Sequence, residues 1–224
     1  SILRQLKHLN MNVLAIGDLH HPFCLKKYLR FCKNVDRKER CNKVVFIGDI
    51  IDNHYSSYHE VDPDGMSAGD ELDHAIAETQ KWYKAFPEAY VCIGNHDRMS
   101  YRKAFSAGVS KRWIKHYNDM LGTPGWKWVE DVVLDGVQYV HGEAGTARKK
   151  AKDDMCSTVQ GHLHTQCYVE WVTGRNFKVF GMQVGCGIDH ETYAMAYAKK
   201  GKKPTIACGT VKHGKIATNH TMDL

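Results

Sequence analysis

The chain has 224 residues, of which 43% are hydrophobic and 25% charged, the composition of a globular protein with an ordinary core. No run approaches the ~18 consecutive apolar residues of a membrane helix, and the start lacks the long apolar segment and cleavage site of a secretory signal. The formal charge of +6 is compatible with an anionic substrate but does not by itself indicate nucleic acid.

This length predicts a single domain over residues 1–224. Residues 1–10 are interpreted as a short lead-in helix or an added segment, because Met11 directly precedes the first predicted strand. Apolar runs at 12–18 and 43–49 each end in Gly-Asp, and a helix is predicted between them from Pro22 to Val35. Such a strand–helix–strand unit makes the two strands parallel and buries them on both faces.

Two more helices and a third strand follow. Residues 70–86 are predicted to be helical, and residues 89–94 form the strand. The next helix ends at the Gly-Thr-Pro-Gly of residues 122–125. The apolar stripes of the two helices are Leu72, Ile76, Thr79, Tyr83 and Phe86, and Val109, Trp113, Tyr117, Met120 and Leu121.

From Trp126 to Thr221 the pattern changes to short apolar runs separated by Gly, Asp and Asn turns, which is typical of strands. A parallel strand–helix half followed by a strand-rich half predicts an α/β fold. Its two packed mixed β-sheets would be flanked by helices, a four-layer α/β/β/α sandwich.

Residues of the kinds that bind metal ions follow five of the apolar runs. Binding sites form beyond the carboxyl ends of parallel strands, so these side chains are expected to converge. A single Gly-Asp or His-Gly is more often a turn or a half-buried histidine. Five such strand ends in one chain argue against that explanation. The residues are Asp18 and His20, Asp49 and Asp52, Asn95, His96 and Asp97, His141, and His162 and His164.

The ligand types indicate which ions would bind. Oxygen and imidazole ligands without thiolates suit manganese, iron, zinc or similar ions rather than a structural zinc site. Seven ligands are too many for one ion and fit two ions that share a carboxylate, an arrangement that clamps a phosphoryl group during in-line attack. We expect two divalent ions, manganese first, with iron, zinc, nickel or magnesium as alternatives.

The five blocks resemble those of the calcineurin-like metallophosphoesterases, in the family's order and over nearly the whole chain. The resemblance implies a double β-sandwich flanked by helices. It also implies that one ion is held by Asp18, His20, Asp49 and His164, and the other by Asn95, His141, His162 and the shared Asp49. The blocks are Asp18-Leu19-His20, Gly48-Asp49-Ile50-Ile51-Asp52, Gly94-Asn95-His96-Asp97, His141 and Gly161-His162-Leu163-His164.

The resemblance further implies catalytic roles. A metal-bridging hydroxide would be the nucleophile, while His96 would bind a phosphate oxygen and protonate the departing oxygen. Asp97 is expected to orient the His96 imidazole. Related protein phosphatases continue the second block with Asp-Arg-Gly, and the presence of Asn53 and His54 here disfavours a phosphoprotein phosphatase. Asn53, His54 and Arg98 are candidate substrate contacts.

Three clusters of basic residues offer contacts to a polyanion, although solvated helix faces explain any single cluster at least as well. Trp126 and Trp128 are expected in the core, with stacking on a base as the alternative. The clusters are Arg98, Arg102 and Lys103; Lys111, Arg112 and Lys115; and Arg148, Lys149, Lys150 and Lys152.

The leading functional hypothesis is a two-metal phosphodiesterase acting on nucleic acid or nucleotides. A phosphomonoesterase acting on a small-molecule or protein phosphate is the alternative, and a non-catalytic scaffold with the same fold is a remote one. Eight cysteines without a Cys-x-x-Cys pair indicate reduced, buried thiols in a cytoplasmic protein. No membrane partner is expected, and the sequence leaves the oligomeric state open.

Overall fold

The structure, a computed structural model, describes residues 10–56, 66–196 and 202–223, so residues 1–9 of the predicted lead-in lie outside the described residues. The strands are β1 (Asn12–Ile16), β2 (Lys43–Phe46), β3 (Ala89–Cys92), β4 (Trp126–Val129), β5 (Asp131–Leu134), β6 (Val137–Val140), β7 (Ser157–Gln160), β8 (Cys167–Thr173), β9 (Lys178–Val184), β10 (Ala207–Lys212) and β11 (Ile216–Thr221). The α-helices are α1 (Tyr28–Glu39), α2 (Ala68–Ala85), α3 (Met99–Ser106), α4 (Tyr117–Leu121), α5 (Ala147–Asp153) and α6 (His190–Ala196).

The strands form two mixed sheets. The first has the order β11-β10-β1-β2-β3-β4, in which β1 to β4 are parallel and β10 runs antiparallel to β1. The second has the order β5-β6-β7-β9-β8, in which β6, β7 and β9 are parallel. The predicted parallel pairing of the first two strands and the predicted pair of mixed sheets are confirmed.

Successive residues of β1 point to opposite faces of the sheet and divide the core in two. Leu14 and Ile16 pack with residues of α1 and α2, whereas Val13 and Ala15 pack with residues of the second sheet. Burial of each large aliphatic side chain of this kind contributes roughly 1.5–3 kcal/mol. Because α5 lies against β7 and β9, the layers run helix, sheet, sheet, helix, as predicted.

Two predicted helices differ from those in the structure. α1 begins at Tyr28, six residues later than expected, because the preceding loop at residues 20–27 is hydrogen-bonded to Gly187 instead of being helical. α2 has nearly the predicted extent, but Leu72 and Ile76 are only half-buried. Thr79 and Phe86 are buried as predicted, and Glu71, Ala75 and Trp82 complete the buried face.

The predicted third helix is confirmed only at its end, where α4 stops at Leu121 before Gly122. The chain forms the two short helices α3 and α4, separated by a loop with a 3-10 turn at Lys111–Trp113. Ile114 and His116 are extended, with ψ of 132° and 152°, and break the predicted helix between Trp113 and Tyr117. Val109 and Trp113 are therefore 45% and 85% exposed instead of packed in the core.

The tryptophans of β4 pack inside the protein, as expected. Trp126 is 1% exposed and donates its indole N–H to the Phe86 carbonyl (2.8 Å). Trp128 is half-buried and stacks on Tyr117 at 4.3 Å between ring centroids. All eight cysteines are free thiols, and four of them are buried. Among the described residues, no helix is both long and apolar enough to span a membrane.

Candidate metal centre

The predicted ligands meet where strands of both sheets end. Asp18 follows β1, Asp49 follows β2 and Asn95 follows β3, all at the carboxyl edge of the first sheet. His141 follows β6 and His162 follows β7, at the carboxyl edge of the second sheet. The packing of the two sheets therefore brings residues more than 140 positions apart in sequence into direct contact, as between Asp18 and His162.

The first group of side chains consists of Asp18, His20, Asp49 and His164, whose potential ligand atoms all lie within 4.8 Å of one another. His164 Nε2 lies 2.9 Å from Asp18 Oδ2 and 3.2 Å from His20 Nε2. His20 Nε2 lies 3.5 Å from Asp49 Oδ2. Two imidazole nitrogens that face each other beside two carboxylates match the donor set of a divalent cation.

The second group consists of Asp49, His141 and His162, and it meets the same distance criterion. His141 Nε2 lies 3.3 Å from Asp49 Oδ2 and 2.9 Å from Asn95 Oδ1, while the His141 and His162 rings are 5.1 Å apart. The two groups share Asp49. The structure therefore brings all seven predicted ligands together, and their assignment as ligands stays a prediction that the proposed function uses.

Two glycines leave room for the carboxylates. A Cβ atom on Gly94 would overlap Asp49 Oδ1, and a Cβ atom on Gly161 would overlap Asp18 Oδ1. Any side chain at either position would displace a carboxylate from the centre. This close approach explains why a glycine stands in these two sequence blocks.

The backbone at the site is held in an unfavourable conformation. His20, Asp49 and His162 have φ values of 48°, 49° and 66°, which cost of order 1–3 kcal/mol each for residues other than glycine. Hydrogen bonds compensate at Asp49, whose N–H donates to Asp97 Oδ2 (2.8 Å) and whose carbonyl accepts from the N–H of Leu19 (3.1 Å). This conformation turns the three side chains toward one another.

Hydrogen bonds at one ring nitrogen orient two of the imidazoles. His20 Nδ1 lies 2.6 Å from Asp52 Oδ1, and His141 Nδ1 lies 2.8 Å from the Ile47 carbonyl oxygen. Because both partners are acceptors, Nδ1 carries the proton and each neutral ring keeps a lone pair on Nε2. Those Nε2 atoms face Asp49, so the rings fit the role of cation ligands.

The electrostatics also fit a cation centre. Burial alone lowers the pKa of His141, but Asp49 and Asp18 outweigh burial and raise it to about 10. Burial alone raises the pKa of Asp18, yet the hydrogen bond and charges of His164 and His141 lower it. The buried carboxylates thus depend on neighbouring positive charge, which divalent cations supply in place of protons.

His96 lies at the edge of this centre, with its side chain 13% exposed. Its backbone N–H donates to Asp49 Oδ1 (2.8 Å), and its ring Nδ1 lies 2.5 Å from the Asp52 carbonyl oxygen. The ring packs edge-on against His20 at 4.6 Å between centroids. Burial alone lowers the pKa of His96, but Asp49 and Asp52 outweigh it and raise the pKa.

Asp97 is expected to orient the His96 ring, but that ring meets the Asp52 carbonyl oxygen instead. The Asp97 carboxylate is buried and accepts backbone N–H groups from Gly94 (2.9 Å), Asp49 (2.8 Å) and Ile50 (2.9 Å). It therefore fixes the loop after β2 against the loop after β3. Burial, together with the charge of Asp49, raises its pKa to about 7.

The three candidate substrate contacts lie at different depths. Asn53 donates from Nδ2 to Ser100 Oγ (2.9 Å) and stays half-buried near the surface. His54 is only 3% exposed and contacts Glu71, which corrects the expectation that it faces substrate. Arg98 pairs with Glu130 at 2.8 Å and donates to the Ile93 carbonyl (3.0 Å), so its guanidinium is already engaged.

Two residues near the site have no counterpart in the sequence prediction. Glu71 lies on the buried face of α2, where a carboxylate among apolar neighbours was the available signal. Tyr193 of α6 is half-buried and sits edge-on to the rings of His20 and His164, at 5.5 Å and 6.3 Å. An aromatic residue in a short helix carries no local signal for this position.

A family model described as calcineurin-like phosphoesterase matches residues 11–201. The chain belongs to this family. No curated protein matches the chain. The family membership confirms the resemblance drawn from the five sequence blocks. Together with the cluster of oxygen and imidazole groups, it indicates a phosphoester hydrolase family and a site suited to divalent metals.

Solved structures similar to this calcineurin-like phosphoesterase include Vacuolar Protein Sorting 29 from Cryptosporidium parvum, at 14% identity and TM-score 0.46 over 96% of this chain and 99% of the other. A metallophosphoesterase from Sphaerobacter thermophilus matches at 12% identity and TM-score 0.46, over 96% and 88%. Nuclease MPE from Pseudomonas putida matches at 12% identity and TM-score 0.42, over 91% and 84%.

Proposed function

We propose that the protein is a phosphodiesterase that uses two divalent ions and acts on nucleic acid or nucleotides. The observation that carries the proposal is the pair of donor groups that share Asp49. When bound, two such ions would stabilise charge on a phosphoryl group and lower the pKa of a water nucleophile. One ion would be held by Asp18, His20, Asp49 and His164, and the other by Asn95, His141, His162 and the same Asp49.

His96 is the residue proposed to protonate the leaving oxygen. Its ring is fixed through Nδ1 by the Asp52 carbonyl, which leaves Nε2 for the substrate. Its raised pKa favours the protonated form that a general acid requires. The pairing of Nδ1 with a backbone oxygen also keeps the ring in one orientation during proton transfer.

A preference for diesters over monoesters follows from the residues after the second block. A monoester dianion carries one more negative charge than a diester and is well bound by a free guanidinium. Asn53 stands where the resembling phosphatases have arginine, and its uncharged amide donates to Ser100 Oγ (2.9 Å). Arg98 is the nearest arginine in sequence to His96, and its ion pairs with Glu130 and Glu143 occupy it.

A substrate panel with added manganese tests the proposal. It contains bis-p-nitrophenyl phosphate, p-nitrophenyl phosphate, cyclic nucleotides, and single- and double-stranded DNA. We expect kcat/KM to be higher on at least one diester than on the monoester. Higher kcat/KM on the monoester than on every diester would favour a phosphomonoesterase, and no hydrolysis with any metal would favour a scaffold.

Metal stoichiometry tests the shared carboxylate separately. We expect two ions per chain in the manganese-reconstituted protein, and Asp49→Asn should lower occupancy of both because Asp49 belongs to both groups. Asp131→Asn, at an exposed position, is the matched control and should keep both ions. Full occupancy in Asp49→Asn would contradict the shared ligand.

A further inference from the structure

One short surface segment of the chain is strongly basic. Residues 98–118, here called the basic arm, contain six lysines and arginines and no acidic residue. The chain has 31 basic and 25 acidic residues, so the 25 basic residues elsewhere balance the acidic ones. The basic arm alone therefore carries a formal charge of +6, as large as the net charge of the whole chain.

Large apolar side chains are exposed among these charges. Phe105 is 86% exposed, Trp113 is 85% exposed and Val109 is 45% exposed. Residues of this size are usually buried, and a cluster of them at a surface marks an interaction site. A groove of about 690 Å³ runs beside them, with walls that include Tyr101, Phe105, Val109 and Lys111.

The basic arm is structured and begins at the metal centre. α3 starts one residue after Arg98, and the Met99 N–H donates to the His96 carbonyl (3.1 Å). Tyr101 donates its hydroxyl to the Lys115 carbonyl (3.0 Å), which ties the later half of the arm to α3. The eight residues of α3 span about 12 Å, well within the reach of a strand of a few nucleotides.

The basic residues of α5, by contrast, are paired with acidic neighbours. On α5, Arg148 and Lys152 pair with Glu170, and Lys149 pairs with Asp153. In the basic arm Lys111, Arg112 and Lys115 are exposed, and the acidic residue nearest to them in sequence is Asp119, just beyond the arm. The two clusters that look alike in sequence thus differ in the charge that they present.

We propose that the basic arm binds single-stranded nucleic acid and leads it to the metal centre. Exposed aromatic rings stack on bases while lysines and arginines track the phosphates, the combination that binds single strands without sequence preference. The aromatic rings favour a single strand, because the bases of a duplex are already stacked. A membrane is the less suitable partner, since a short helix and one turn with interleaved charges lack a continuous apolar face. The inference rests on the proposed function only for the delivery of the strand to a catalytic centre. Binding of the strand by the basic arm does not depend on that function.

Binding is measured by fluorescence anisotropy with a labelled oligothymidylate of about 20 nucleotides, a length that covers the ~4–16 nucleotides of known single-strand sites. The full chain is used in EDTA so that the strand stays intact. The variant Lys111→Gln/Arg112→Gln/Lys115→Gln should bind at least about tenfold more weakly, and its slope of log K against log salt should be shallower by about 2. The matched control, Lys149→Gln/Lys150→Gln/Lys152→Gln on α5, should bind like the wild type.

Phe105→Ala and Trp113→Ala should each weaken binding about fivefold or more, since a stacked base is lost. Equal weakening by the α5 control, or wild-type binding by both aromatic variants, would overturn the proposal. A second contrary outcome uses vesicles of phosphatidylcholine and phosphatidylglycerol. If Phe105→Ala and Trp113→Ala abolish sedimentation of the protein with these vesicles but leave oligothymidylate binding unchanged, the proposal is overturned.

The same protein assayed on bis-p-nitrophenyl phosphate separates this inference from the proposed function. Hydrolysis of the diester without oligothymidylate binding would overturn the inference alone. Binding through the basic arm without hydrolysis of any diester would overturn the proposed function and leave the arm as a binding surface.

Discussion

The Nδ1 atom of His20 lies 2.6 Å from Oδ1 of the buried Asp52. Asp52 Oδ2 in turn lies 4.0 Å from His54 Nδ1, and His54 contacts Glu71 of α2. All four side chains are less than 5% exposed. A buried row of alternating imidazoles and carboxylates therefore connects a predicted metal ligand with a helix on the outside of the first sheet.

Asp52→Asn should weaken metal binding without removing a ligand. The carboxylate holds the His20 proton on Nδ1 and makes Nε2 a better donor to a cation, and partners of this kind typically contribute ~10–100-fold in metal affinity. Calorimetric titration with manganese gives the affinity, with the exposed Asp131→Asn as control. An affinity equal to that of the wild type would show that Asp52 does not act on His20.

Glu71→Gln tests how far the row extends. Glu71 Oε1 accepts the backbone N–H of His54 (3.1 Å), and Oε2 contacts the His54 ring. Replacing this buried carboxylate should cost about 1–3 kcal/mol in the free energy of unfolding, measured in urea without metal. Manganese affinity should also fall, though less than in Asp52→Asn. Loss of stability with unchanged affinity would mean that Glu71 only supports the fold. Asp73→Asn, at an exposed position of α2, serves as the control.

The metal centre was predictable because each part carries a local signature. A Gly followed by a carboxylate or amide at the end of an apolar run identifies Asp49 and Asn95 without knowledge of the fold. The parallel order of β1, β2 and β3 then brings these ends together. The overlap that a Cβ on Gly94 would make with Asp49 shows that the glycine is required by its spatial neighbour rather than by its own turn alone.

Contacts between distant segments were not predictable. Helical periodicity located α2, but part of its buried face lies one residue before the predicted stripe, as at Glu71, which contacts His54 on another segment. Asp97 stands next to His96 in sequence, yet its carboxylate points to the N–H groups after β2, and the His96 ring meets Asp52. Adjacent side chains in a turn diverge, so sequence proximity is a poor guide to which group holds an imidazole.

His96→Ala should retain both metal ions and lose turnover. Loss of a general acid typically lowers kcat by ~10²–10⁴, with the larger losses for poor leaving groups. Nitrophenyl esters, whose leaving group needs little protonation, should be affected least. Metal content by elemental analysis and kcat on diesters of rising leaving-group pKa measure both effects, with the exposed His74→Ala as control. Loss of an ion would make His96 a ligand, and an unchanged kcat on poor leaving groups would remove it from the mechanism.

His21 gives the fold a defined acid sensitivity. Its side chain is fully buried, and within the described part of the chain neither ring nitrogen has a hydrogen-bond partner. Burial, with a smaller effect from His20 and Lys81, lowers the pKa of His21 from 6.5 to about 3. Because the folded pKa lies below the unfolded one, the unfolded chain binds the proton first. The stability that this neutral ring contributes is present above pH 6.5 and is lost as the pH falls toward 3, by about 1.4 kcal/mol per pH unit.

His21→Leu should remove that dependence. Between pH 7 and pH 5 the free energy of unfolding of the wild type should fall by about 2 kcal/mol more than that of the variant. At pH 7 the variant should be at least as stable, since a buried N–H without a partner is replaced by an apolar side chain of similar size. Urea unfolding at both pH values measures the difference, and His74→Leu, at an exposed position of α2, should retain the wild-type dependence. Equal losses in His21→Leu and the wild type would mean that His21 accepts its proton in the folded protein. Its burial next to Trp82 would then not lower its pKa.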